Sequence, residues 1–206
     1  MTRITQLDLN KFPDIETVMG LLKYDPFWEF PSLDKLGEIS ERIYGCAKFL
    51  WAKPDDTYLY YAECANLRAY LNEFSSLSEI LKEHSLPKFR NIAIEKTDYP
   101  LFHFFKLLRN VNFHVKSITG GTTSFPAVLM NKATNEIHGE ELLITRFIIA
   151  DCNLTLLETA WDIKHYDKIQ IQYIIDWVVD MQANYGISDI LEANLRQYCK
   201  LILASI

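Results

Sequence analysis

The sequence predicts a mainly α fold, an antiparallel helical bundle with a β-hairpin insertion, and three observations lead there. Apolar residues recur at three- and four-residue spacing over most of the chain. One segment, 122–150, switches to β-branched runs flanking a polar tract. The 206 residues, 49% hydrophobic and 23% charged, are enough to bury a real core, which excludes a disordered chain. A single domain over 1–206 is expected, with an N-terminal aromatic segment at 1–32 and the hairpin at 122–150 as its elaborations.

The N-terminal segment carries Pro13, Pro26 and Pro31 with Phe27, Trp28 and Phe30, so a short helix and an aromatic loop packed on the body are expected. A first long helix is predicted over 33–51, where Leu36, Ile39, Ile43, Cys46, Ala47 and Leu50 form an apolar stripe that Pro54 terminates. The second starts at the acidic pair Asp55-Asp56 and runs to Leu81 on a stripe of Tyr60, Cys64, Leu67, Leu71 and Phe74. The third, 98–118, has the most regular seam (Leu101, Phe104, Leu108, Val111, Val115, Ile118), which makes it the central helix of the bundle. Gly120-Gly121 is read as its stop. Strands follow at 124–130 and 142–149 around the polar tract 131–141. A short helix is expected at 154–164, then a pair at 168–185 and 188–205, with Gly186 as C-cap of the first and Ser188 as N-cap of the second.

Composition limits the function classes. Cys46, Cys64, Cys152 and Cys199 are scattered, with no CxxC pair, so neither a disulfide framework nor a zinc knuckle is indicated. Residues 1–10 lack the basic-then-apolar order of a signal peptide, and polar residues interrupt every apolar run before it reaches membrane-spanning length. A cytoplasmic protein without membrane contact is expected. The net charge of −6 argues against broad nucleic-acid binding, which needs many phosphates neutralised, but leaves room for a small local site.

Chemistry concentrates in Arg109-Asn110-Val111-Asn112-Phe113-His114. An arginine binds phosphate bidentately, and a histidine takes or gives a proton near neutral pH. Lys106 and Lys116 supply further positive charge around the pair. On a straight helix Arg109 and His114 stand about 140° apart in azimuth and about 7.5 Å apart along the axis. They flank the buried seam and do not converge. Either the helix is distorted or a two-fold partner contributes the second residue to a composite cleft. Asn112 projects into the apolar stripe, where a buried amide needs partners and would hold the motif in register. Other readings stand beside these. Arg109 can pair with Glu63 or Glu73 of the second helix, His114 can be an interface histidine, and His103 is assigned a surface role. The cluster Phe102, Phe104, Phe105 and Phe113 serves as core or dimer interface ahead of base stacking. Gly120-Gly121-Thr122-Thr123-Ser124 lacks the lysine and following helix of a phosphate-binding loop.

An arginine, a polar residue directly after it and a histidine four residues further on, late in an apolar bundle helix, resembles the signature of the HEPN superfamily of ribonuclease-like domains. The run from Tyr60 to Phe74 also looks like the helix that packs beside the motif helix in that family, so the resemblance covers about 33–118. It implies metal-independent cleavage of RNA with no cofactor, in which the ribose 2′-hydroxyl attacks the adjacent phosphate. His114 would be general acid or base, Arg109 would stabilise the transition-state charge, and Asn110 would orient substrate or the catalytic pair. It further implies a toxin or RNA-defence setting, with a nucleotidyltransferase-type antitoxin as partner; the expectation of a homodimer comes instead from the azimuthal mismatch of Arg109 and His114. The family also contains noncatalytic members, so the alternative is a HEPN-like interaction module that binds a partner protein or a nucleotide.

Overall fold

The computed structural model describes residues 4–15, 25–51, 59–114, 119–130 and 137–206. It is mainly helical with one two-stranded antiparallel hairpin. The elements are α1 (Pro26–Glu29), α2 (Glu38–Trp51), α3 (Leu59–Glu83), α4 (Pro87–Arg90), α5 (Pro100–His114), β1 (Gly120–Met130), β2 (Ile137–Ile149), α6 (Leu154–Leu157), α7 (Lys168–Tyr185) and α8 (Ile187–Leu203). Helix α3 packs against both α2 and α5; α8 packs against α2 and α7. Among the described residues no helix is long and apolar enough to cross a membrane.

The apolar stripes fall where periodicity puts them. Ile39, Ile43, Cys46 and Ala47 of α2 and Leu67, Leu71, Phe74 and Leu81 of α3 are buried. Leu33 is buried too, although it precedes α2 in a 3-10 turn, Pro31–Lys35, that Ser40 ties down by donating its hydroxyl to the Leu33 carbonyl. The expected start of α3 at Asp55-Asp56 lies outside the described residues. Helix α5 begins on Pro100, a residue suited to the first helical turn because its missing N–H has no intrahelical partner there. From Leu101 to Asn112 every residue is buried except Lys106, Arg109 and Asn112, which recur every third position and form one half-buried stripe.

Several boundaries differ from expectation. The hairpin is longer than hydropathy suggests, because backbone pairing runs through polar residues: His138 lies opposite Leu129 and Ile137 opposite Met130, beyond a bulge after Ala127. In a two-stranded sheet each strand is an edge, which admits Pro126. Gly120 opens β1 and is not a helix stop; a Cβ there would meet the Phe147 ring at 2.3 Å, so close approach is what demands glycine. The helix expected at 154–164 is one capped turn, α6, and a separate 3-10 turn, Ile163–His165; the Thr159 hydroxyl donates to the Leu156 carbonyl where the helix would otherwise continue. Gly186, at φ +80°, both ends α7 and starts α8, so Ser188 is not the cap. Trp28 does not pack on the body: it is largely exposed, whereas Phe27 and Phe30 rest against the core.

Two contacts seat the remaining pieces. The buried Gln182 side chain of α7 accepts from the Ile149 N–H (2.9 Å) and donates to its carbonyl (3.0 Å), pairing with β2 as a neighbouring strand would. The N-terminal segment runs beside the connection between α6 and α7, with the Thr5 N–H donating to the His165 carbonyl at 2.7 Å.

Candidate functional site

A cleft of about 800 Å³ opens between α3, α5 and the α6–α7 connection. Helix α5 contributes its half-buried stripe through Lys106 and Arg109, together with the buried Asn110 beside it. The α6–α7 connection contributes Trp161, Asp162, His165 and Tyr166. Side-chain caps start both flanking helices, Asn153 accepting from the Leu156 N–H (2.9 Å) at α6 and Asp167, at the end of the connection, from the Ile169 N–H (2.8 Å) at α7.

The motif is anchored through Asn110. Its Nδ2 donates to Asp162 Oδ2 at 2.9 Å, and its Oδ1 accepts from Arg109 Nη1 at 3.1 Å. A carboxylate only accepts and a guanidinium only donates, so this arrangement fixes which way the amide faces. Asp162 is buried, and its Oδ1 has no hydrogen-bond partner among the described residues. Arg109 therefore projects into the cleft from a helix whose rotation is pinned to a residue more than fifty positions away in sequence.

The remaining cleft charges are largely paired. Lys106 Nζ lies 2.6 Å from Glu95 Oε1, and Lys82 is 3.8 Å from the same oxygen. Burial alone would raise the Glu95 pKa, but the Lys106 hydrogen bond, a backbone hydrogen bond and the two lysine charges outweigh it and hold the carboxyl below its ordinary value. Arg42 bonds Glu73 at 3.1 Å, so Glu73 is engaged by α2. At the mouth Trp161 is 66% exposed, with the His165 ring edge-on to it at 6.5 Å and Lys164 Nζ 5.7 Å from its centroid.

His103 belongs to the interior and not to the surface. Its Nε2 faces the Thr97 carbonyl at 3.0 Å and must donate, so Nδ1, 2.9 Å from Tyr166 Oη, accepts from the phenol. Burial is the main reason its pKa is lowered to about 4. The aromatic cluster is core as well: Phe102 and Phe105 meet Phe74 edge-on at 5.8 and 6.5 Å, and Phe102 lies 4.6 Å from Tyr198, all fully buried. No face of Phe102, Phe104 or Phe105 is open to a base.

The sequence-predicted residues separate as follows. Arg109, Asn110 and Lys106 come together in the cleft. Asn112 is half-buried on the stripe of Lys106 and Arg109 and is not within the seam; Asn110 is the buried amide that bonds across to another element. The real seam is wider than the one projected, which moves the amide inside it by two positions. Lys116 and the side chains of His114 and Phe113 lie outside the described residues. Asp162, His165 and Trp161 were missed. Their only signal is the run Trp161-Asp162-Ile163-Lys164-His165-Tyr166, an aspartate and a histidine three apart between aromatics, which reads as the tail of a short helix. Among the described residues no group of three or more His, Cys, Asp or Glu is placed to hold a metal ion. Compared with models of protein families, with curated proteins and with solved structures, the chain matches none.

Proposed function

We propose that this chain is a metal-independent endoribonuclease of HEPN type, working in a toxin or RNA-defence setting. The observation that carries the reading is the convergence of Arg109, Asn110 and Lys106 on one cleft large enough for a nucleotide. In this reading the 2′-hydroxyl of the bound strand attacks the neighbouring phosphate. Arg109 stabilises the charge that builds on its oxygens, Asn110 and Asp162 hold the guanidinium in place, and His114 gives or takes a proton. Lys106 and Lys116 steer the backbone. A homodimer would bring Arg109 of one chain towards His114 of its partner, and a nucleotidyltransferase-type antitoxin would be the protein partner.

The direct test is cleavage of single-stranded RNA by the purified protein in EDTA. His114→Ala and Arg109→Ala should each lower the rate by on the order of 100-fold or more while the helical content is retained. Equal rates in wild type and His114→Ala would sink the assignment. One observation favours the noncatalytic alternative: both ends of the Asn110 amide are committed inside the protein, as in a structural brace. An interaction module of that kind would bind an oligonucleotide or partner protein and leave RNA intact.

A further inference from the structure

Cleavage by an internal 2′-hydroxyl moves two protons at opposite ends of the phosphate. One leaves the attacking 2′-oxygen, and one arrives on the departing 5′-oxygen. The motif contributes a single imidazole, His114. Two more imidazoles are described nearby, His103 on the motif helix itself and His165 on the α6–α7 connection, and they differ in chemistry. His103 is excluded, because both ring nitrogens are engaged, by Thr97 and Tyr166, and burial keeps it neutral down to about pH 4. Tyr166 is excluded as well, since its phenol is spent on His103 and burial raises its pKa. His165 has the opposite character. It lines the same cleft as Arg109 and Asn110, is half-buried, and neither ring nitrogen has a hydrogen-bond partner among the described residues.

Its backbone, by contrast, is held on both sides. The His165 N–H donates to the Asp162 carbonyl at 3.0 Å, and its carbonyl accepts from the Thr5 N–H at 2.7 Å. The residue it leans on through the backbone, Asp162, is the one that anchors Asn110 and hence Arg109. One short turn therefore anchors the motif arginine through Asn110 and places the His165 imidazole on the wall of the same cleft.

We propose that His165 is a second catalytic proton-transfer residue, acting with His114; this rests on the ribonuclease reading above. The 2′-O to phosphorus bond forms as the phosphorus to 5′-O bond breaks. One imidazole takes the 2′-hydroxyl proton and the other, entering as imidazolium, delivers a proton to the 5′-oxygen. The products are a 2′,3′-cyclic phosphate and a 5′-hydroxyl, with no net proton consumed.

The experiment compares wild type, His165→Ala and His165→Gln on single-stranded RNA, and measures binding of the uncleavable 2′-deoxy oligonucleotide of the same sequence. Both variants should lose on the order of 100-fold in cleavage while binding the deoxy oligonucleotide as wild type does, and added imidazole should restore part of the His165→Ala rate. Wild-type cleavage by either variant overturns the proposal and leaves the ribonuclease reading standing. So does a loss of deoxy oligonucleotide binding in proportion to the loss of rate, with no rescue by imidazole, which would make His165 a binding residue. A wild-type protein that cleaves no RNA overturns the reading and the proposal together. Should His165→Ala misfold, the isosteric His165→Gln is decisive.

Discussion

At the scale of single residues, two buried polar side chains on α5 do different work. Asn110 supplies the donor of a buried carboxylate, so Asn110→Leu strips Asp162 of it while the charge stays behind. The expected loss is about 2–4 kcal/mol in urea unfolding, well beyond that of Asn112→Leu on the half-buried stripe. Similar losses in the two variants would mean that Asn110 does not anchor the helix. His103 ties stability to pH. Its folded pKa of about 4 lies below the ordinary histidine value of about 6.5, so the unfolded chain binds the proton more readily. Stability from this group is complete above pH 6.5 and is lost as pH falls towards 4, by on the order of 3 kcal/mol. His103→Gln should flatten that part of the pH–stability curve. Identical pH slopes in wild type and variant would contradict the assignment of a neutral, buried imidazole.

At the scale of elements, the described base of the hairpin is seated on the bundle by buried Phe147 and Ile149 and by two positions at the end of α7. Gln182 makes both bonds to Ile149, and Gly186 leaves room for Arg146, whose Cβ would stand 2.6 Å from an added Cβ. Gly186→Ala would meet that clash in a left-handed backbone conformation at the joint between α7 and α8, with an expected cost of about 1–3 kcal/mol. Gln182→Leu leaves the buried Ile149 amide and carbonyl unpaired, at about 1–3 kcal/mol each. Hydrogen exchange should then quicken at Ile149 and along β2 before it quickens in α3 or α5. Uniform acceleration through the whole chain would show that hairpin and bundle unfold as one unit.

At the scale of the whole molecule, the site is assembled from elements distant in sequence, and the proposed dimer would extend that assembly across two chains. Mixing Arg109→Ala protein with His114→Ala protein tests the extension. If each active site takes Arg109 from one chain and His114 from the other, heterodimers carry one intact site and regain up to about half the wild-type rate per dimer. No recovery in a mixture shown to exchange subunits would confine each site to one chain.

The class of fold and most of its elements are legible in the order of residues alone. The 3-4 spacing of Ile39, Ile43, Leu67, Leu71, Phe74, Leu101, Phe104 and Leu108 marks the buried faces of α2, α3 and α5, because a helix exposes a fixed set of positions to its neighbours whatever those neighbours are. The change to β-branched residues marks the hairpin, though not its full length, since backbone pairing at His138 is indifferent to hydropathy. Arg109, Asn110 and Lys106 stand out as a local cluster for the same reason, lying within one turn of one helix. The remainder depends on how the elements pack. Packing widened the buried face of α5 until Asn110 replaced Asn112 as the inner amide, and it took His103 into the core by offering both ring nitrogens a partner. It also brought Asp162, His165 and Trp161 to the cleft from a connection more than fifty residues downstream. Periodicity speaks only of neighbours along one element, and the partners of a buried polar group are chosen by how elements distant in sequence pack together.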